Sequence, residues 1–289
     1  MIRKPCVSGY FYPSGKAELI SQIEESFLSP LGTKCLPNAA GKKSGKPILG
    51  VIVPHAGYAY SGASAAHSFK IIAESEYDIY FIIGFSHSGF GSCFSDEDWE
   101  TPFGIVNTEE KLVGMLSKKT GIPINNRIHS REHSIEVQIP FIQYISAKNK
   151  SSSRVICLIV SDGTNMKKTA ETISAVLNET GKRYCFLASS DFTHYGSNYG
   201  YLPFTKNPKE NMHKLDSEAI KQIISLDGEG FLDYIRKTGA TICGRNPICL
   251  MIELAKLHDS KPRLLAYYTS GDITGDYSSA VGYAAISFE

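Results

Sequence analysis

Uninterrupted apolar runs of strand length recur along this chain, and three of the four are followed by a polar turn that carries a histidine. Runs that are apolar at every position fit strands covered on both faces, as in a parallel sheet flanked by helices. The first, Val51-Ile52-Val53, stops at Pro54, which lacks the amide donor a central strand needs. His55 and a Gly- and Tyr-containing loop follow, and Ser61 opens a helix-length segment of small residues, so the unit reads strand, loop, helix. Residues 79–85 form the second run, which ends in Ser86-His87-Ser88-Gly89-Phe90-Gly91; residues 154–160 form the third. Residues 183–189 form the fourth, which ends in Ser190-Asp191-Phe192-Thr193-His194. In an open α/β sheet ligands collect at the carboxyl ends of the strands, so function is expected at these turns.

Between the runs the apolar spacing is helical. Ser14 is placed to cap a helix whose Leu19, Ile20, Ile23 and Phe27 share one face and which ends near Pro30. Tyr10 to Tyr12 are expected to pack the N-terminus onto the body. Residues 32–47, with Lys42-Lys43, read as a solvated loop and not a domain boundary, because one helix cannot form a core alone. A Pro-Phe-Gly turn within residues 99–106 suggests an appended hairpin. Helices are expected over 109–119, 132–146, 166–177, 211–226, 230–237 and 248–257, and Ser151-Ser152-Ser153 reads as a loop. Strands over 263–269 and 279–288 close the chain around the turn-rich 271–277. The alternation predicts one α/β domain over residues 1–289, with a largely parallel central sheet and helices on both faces.

Bulk composition narrows the partners. A chain of 289 residues with 42% hydrophobic content can bury about three quarters of its unfolded surface. A formal net charge of +1 gives no concentrated basic surface for nucleic acid or anionic lipid, so a small-molecule or protein partner is expected. The seven cysteines are odd in number, scattered and without a C-x-x-C pair, which fits a reducing cytoplasm and argues against structural zinc. No apolar run approaches membrane-spanning length, and polar and aromatic residues follow Met1-Ile2-Arg3-Lys4-Pro5 where a signal peptide would be apolar.

If the strands are parallel, His55, His87 and the pair Asp191 and His194 share one edge of the sheet and converge. Cys243 precedes the helix that Pro247 opens and adds a soft ligand, since a thiolate is favoured by a helix N-terminus and more strongly by a metal; Gly244 beside it suits a tight approach. Two neutral imidazoles and one anionic ligand leave positions open on a divalent metal, which suits activation of oxygen or water better than structural closure. Asp191 would then orient an imidazole, while His194, and His133 behind Glu132, would move protons. His67, His213 and His258 read as structural. Gly84-Phe85-Ser86-His87-Ser88 approaches a nucleophile elbow, but Ser88 stands where glycine is needed and a histidine next to the serine points away from it. A serine hydrolase is therefore the lesser reading.

These motifs, Val53-Pro54-His55-Ala56-Gly57-Tyr58 with Ser61-Gly62, Gly84-Phe85-Ser86-His87, Glu132-His133-Ser134-Ile135-Glu136, Ser189-Ser190-Asp191-Phe192-Thr193-His194-Tyr195-Gly196 and Thr241-Ile242-Cys243-Gly244-Arg245, together resemble the Memo family. Its prokaryotic members form the Memo part of the AmmeMemoRadiSam group. Gly9-Tyr10-Phe11-Tyr12-Pro13 is similar to the family's start. The resemblance implies a fold related to the class III extradiol dioxygenases, with the dioxygenase glutamate replaced by cysteine, and hence iron(II) or copper on His55, His87 and Cys243. It also implies acid/base positions for His133 and His194; Tyr58 and Arg245 are the expected substrate-binding residues of the cleft. A redox activity on an unknown small molecule follows from this; the alternative the family carries is a signalling protein that binds phosphotyrosine-containing peptides.

Overall fold

The computed structural model describes residues 1–37, 47–87, 89, 91–149 and 154–289. Its elements are, in order, β1 (Ile2–Arg3), α1 (Lys16–Leu28), β2 (Gly50–Val53), α2 (Tyr58–Ala73), β3 (Ile79–Gly84), β4 (Cys93–Ser95), β5 (Asp98–Thr101), β6 (Gly104–Thr108), α3 (Glu110–Thr120), α4 (Asn126–His129), α5 (His133–Glu136) and α6 (Ile139–Lys148). There follow β7 (Arg154–Ile159), α7 (Met166–Asn178), β8 (Tyr184–Ser189), β9 (His194–Gly196), α8 (Pro208–Ile224), α9 (Gly228–Thr238), α10 (Arg245–Leu257), β10 (Pro262–Thr269), α11 (Ser270–Thr274) and β11 (Ser279–Phe288).

The strands form one sheet in the order β1-β5-β6-β7-β3-β8-β2-β11-β10, with β4 added to β7 and β9 to β11. Its five central strands, β6, β7, β3, β8 and β2, run parallel. The closing pair β11 and β10 is antiparallel, as is the hairpin β5–β6. Alternation along the buried strands assigns the faces. Val51, Val53, Ile82 and Leu187 point toward Phe27, Phe69 and Phe141 of α1, α2 and α6. Ile52, Phe81, Leu158 and Phe186 point toward Ile173 and Leu250 of α7 and α10. A strand between two helical layers has no solvent face, which is why these runs are apolar throughout.

Several local expectations differ from the structure. Gly15, not Ser14, caps α1, without a side-chain hydrogen bond. The helix after β2 begins at Tyr58, and Ser61 sits inside it, its hydroxyl donating to the Ala56 carbonyl. The helix expected over 132–146 is broken into α5 and α6, because Pro140 lacks an amide donor and suits only the first turn of a helix. The expected turn over 271–277 begins within α11, which is opened by a capping box between Thr269 and Asp272. Lys42-Lys43, Ser88 and Ser151-Ser152-Ser153 lie outside the described residues. Tyr12 is buried as expected, whereas Tyr10 is exposed.

Candidate metal centre

Register in the parallel core places the site. Val53 of β2 pairs with Ser189 of β8, and Ile83 of β3 pairs with Ala188, so the three strands end level with β8 in the middle. His55 leaves β2 and His87 leaves β3, and they reach toward each other over the end of β8; their ring centroids are 5.4 Å apart, edge to face.

The partners of each ring fix which nitrogen faces inward. His55 Nδ1 lies 3.0 Å from Ser189 Oγ, and that hydroxyl donates its one proton to the Ser134 carbonyl at 2.6 Å. Ser189 Oγ must therefore accept, from His55 Nδ1–H and from Gln138 Nε2 at 3.0 Å, which leaves His55 Nε2 as a bare lone pair. His87 Nδ1 lies 3.0 Å from Glu132 Oε1, and the His87 amide donates to Oε2 of the same carboxylate at 2.9 Å. Burial alone would raise the Glu132 pKa, but His87 and the donated amides of Ser134 and His87 bring it down to about 2. An ionised carboxylate only accepts, so His87 also carries its proton on Nδ1 and presents Nε2.

Cys243 completes the group. Its Sγ is 3.1 Å from His55 Nε2, and one ligand atom each of His55, His87 and Cys243 lies within 4.8 Å of the others. Spacings of this order suit atoms bonded at about 2.0–2.3 Å to a common ion. The thiol is set by α10, whose first turn begins two residues later, and by Gly244: a Cβ there would lie 2.3 Å from Ser190 Cβ, so only glycine permits the approach. The Asp191 amide donates to Sγ at 3.3 Å. Burial, then the Asp191 carboxyl, push the thiol well above its ordinary pKa. A divalent cation is the kind of neighbour that reverses such a shift, because a coordinating thiol is deprotonated outright. Soft thiolate with two imidazoles is a donor set that fits iron or copper.

His87, Glu132 and His133 form a second cluster of ligand-type atoms. Glu132 Oε1 already receives His87 Nδ1–H and the Ser134 amide, so its carboxylate acts as the orienting partner of His87. His133 stacks on the His87 ring at 4.2 Å and on its other side meets Phe11 at 4.8 Å. Burial, then His87, depress the His133 pKa, and burial, then His133 and His87, depress that of His55 much further. His194 Nδ1 lies 3.1 Å from the Thr241 carbonyl, which can only accept, so Nδ1 carries a proton and Nε2 is the ring's other edge.

Asp191, Tyr58 and Arg245 are each engaged by specific partners. Asp191 Oδ1 takes the His55 amide at 2.7 Å and its Oδ2 lies 4.0 Å from His55 Nε2, while Nδ1 of that ring is held by Ser189. Burial raises the Asp191 pKa. The Tyr58 hydroxyl donates to the Val137 carbonyl at 2.6 Å and its ring packs on Phe141, so the phenol is turned away from the histidines. Arg245 stands at a cleft beside Cys243, walled by Phe85, Ile235 and Ile242, but its guanidinium is 2.7 Å from Asp162. Ser86 is buried, and the neighbouring His87 is engaged by Glu132. His67, His213 and His258 pair with the Leu31 carbonyl, Asp272 and Ser174 respectively, away from the site.

Sequence reasoning missed Ser189, Gln138 and Asp216. In the sequence Ser189 shows only as the last residue of the fourth apolar run, and nothing local marks it as the partner of His55. Asp216, on α8, is fully buried and takes the Thr193 hydroxyl at 2.5 Å and the Tyr267 hydroxyl at 2.7 Å beneath the Asp191–His194 turn.

The family described as Memo-like protein matches residues 3–287. A MEMO1 family protein of Methanopyrus kandleri is 36% identical over 294 residues, covering 100% of this chain and 99% of the relative. MEMO1 family proteins of Sulfurisphaera tokodaii and Methanocaldococcus jannaschii are each 37% identical, again over 100% of this chain and 99% of their own. With matches of this extent from end to end, the chain belongs to the Memo-like protein family.

Proposed function

We propose that this protein is a metal-dependent redox enzyme that holds one iron(II) or copper ion on His55, His87 and Cys243 and acts, in a dioxygenase-like manner, on a small organic molecule. The observation that carries the reading is the convergence of two Nε2 lone pairs and one thiol sulfur, with each imidazole fixed from behind by a separate partner, Ser189 or Glu132. An ion bound there would supply Lewis acidity and one-electron chemistry at the positions the protein leaves open.

The remaining residues handle protons and shape. His133, kept neutral near pH 7 by its depressed pKa, serves as a base beside His87. His194, its Nδ1 turned to the Thr241 carbonyl, is a second proton carrier. Asp191 positions the His55 backbone and the Cys243 sulfur. Phe85, Ile235 and Ile242 give the substrate an apolar wall in a cleft that Cys243 and Arg245 also line. Seven free cysteines favour a cytoplasmic setting. Among the described residues no helix is long and apolar enough to cross a membrane.

The phosphotyrosine-peptide reading draws less support. Phosphate recognition generally uses unengaged arginines in a cluster, whereas Arg236 and Arg245 at the cleft are paired with Asp233 and Asp162. Metal content after anaerobic purification distinguishes the two. About one iron or copper per wild-type chain, lost in Cys243→Ala and His55→Ala, supports the enzyme reading. A metal-free wild type that binds a phosphotyrosine peptide as well as Cys243→Ala does would replace it.

A further inference from the structure

We infer that Arg3 and Glu136 are positioning residues of the centre, acting on His87 through Glu132; the inference rests on the metal reading. Glu136 is fully buried at the end of α5 and accepts from five groups. These are Arg3 Nη1, the Cys6 amide at 2.9 Å, the Cys6 thiol at 3.1 Å, the Val7 amide at 3.0 Å and the Tyr12 hydroxyl at 2.7 Å. Arg3, 2% exposed and lying over the Trp99 ring, divides its fork. Nε donates to the His129 carbonyl at 3.2 Å and Nη2 to the Glu132 carbonyl at 2.9 Å, while Nη1 meets Glu136.

One side chain from the N-terminal segment thus ties the carbonyl that closes α4, the carbonyl that precedes α5 and the carboxylate that ends α5. A four-residue helix cannot maintain its own place, since one turn fixes more backbone than its hydrogen bonds return. Arg3 and Glu136 set that place. The consequence passes along a chain of contacts: Arg3 holds the Glu132 backbone, the Glu132 carboxylate takes His87 Nδ1–H and the His87 amide, and His87 Nε2 is thereby aimed at Cys243 and His55. The same segment supplies Phe11 against His133, with the Phe11 carbonyl receiving the Tyr58 amide at 2.8 Å. A buried ion pair adds little net stability compared with apolar side chains of similar volume. This one is arranged for geometry, with a guanidinium fork that lysine cannot reproduce.

Arg3→Lys tests this, since it keeps a cation opposite Glu136 while losing the fork. In metal-free protein, hydrogen exchange of the His87 and Ser134 amides, the two that end on the Glu132 carboxylate, is expected to accelerate about tenfold or more, with β3 and β8 amides unchanged. In anaerobic titration with iron(II), affinity is expected to fall about tenfold, as for other partners of metal ligands. Glu132→Ala should lose at least as much, and the double variant no more than Glu132→Ala alone, because both act on one path. Unchanged exchange at those two amides, uniform acceleration across the sheet, or additive losses of affinity would each overturn the inference. If Arg3→Lys does not fold, Glu136→Gln is measured in the same way against the same outcomes. A wild type that takes up neither iron nor copper defeats the metal reading by itself, and exchange in the metal-free protein then decides the positioning role alone.

Discussion

At the residue scale, the centre depends on which nitrogen of each histidine carries the proton, and that is decided by neighbours with no ambiguity of their own. Ser189 has one proton and gives it to Ser134; Glu132 has none. Ser189→Ala should therefore keep the fold but leave His55 Nδ1 without its acceptor and weaken metal binding by about tenfold, read by competitive titration; unaltered affinity would remove Ser189 from the account. Cys243 makes a second prediction. Its thiol pKa is raised by burial, and the ligand form is the thiolate, so metal uptake near pH 7 should release one proton from this residue. His55 and His133, with depressed pKa values, are already neutral and add none. Calorimetry in buffers of different ionisation enthalpy measures the number, and apparent affinity should rise about tenfold per pH unit above neutrality. His55, His87 and Cys243 were legible in the sequence because scarce, chemically distinctive residues stood at breaks in apolar runs. Ser189 and Gln138 were not, since serine and glutamine have many ordinary uses and only the paired register of β2 and β8 gives these two their function.

At the scale of elements, the site is made by short, irregular pieces held by their neighbours. The break between α5 and α6 frees Val137 to accept from Tyr58 and lets Gln138 reach the Pro54 carbonyl and Ser189. Helical spacing of Ile135, Ile139 and Ile142 hid that break, because burial on one side continues through it. The close approach at Gly244 carries a sharp consequence: Gly244→Ala should cost about 1–3 kcal/mol of stability by overpacking, and move Cys243 enough to impair metal binding. Chemical denaturation checks the first effect and titration the second. Asp216 of α8 gives a pH test. Burial lifts its pKa to about 6 against the hydrogen bonds of Thr193 and Tyr267, so the folded state binds this proton more tightly than the unfolded chain does. Its contribution to stability is then greatest at low pH and is lost as pH rises from about 4 through about 6, by at most about 3 kcal/mol. Relative to Asp216→Asn, the wild type should gain in melting temperature between pH 7 and pH 4.5; parallel curves would show that the carboxyl is not perturbed.

At the scale of the whole molecule, the parallel core is what lets residues far apart in sequence meet. Strands β3, β8 and β2 lie side by side and end level, so two loops about 30 residues apart and a third leading into α10 open on one edge. This much was legible, because alternation of apolar runs and helical segments admits few topologies. Not legible were the antiparallel closure by β11 and β10 and the additions β4 and β9, which depend on long-range pairing and not on local pattern. The N-terminal segment, of which only Tyr10 to Tyr12 were expected to pack on the body, runs from Arg3 through Phe11 along the histidine cluster.

X-ray absorption at the metal edge of anaerobically loaded protein tests the central claim most directly. One sulfur and two imidazole nitrogens in the coordination sphere, with the sulfur absent in Cys243→Ala, is the predicted result. A sphere of oxygen and nitrogen only, identical in wild type and variant, would contradict it.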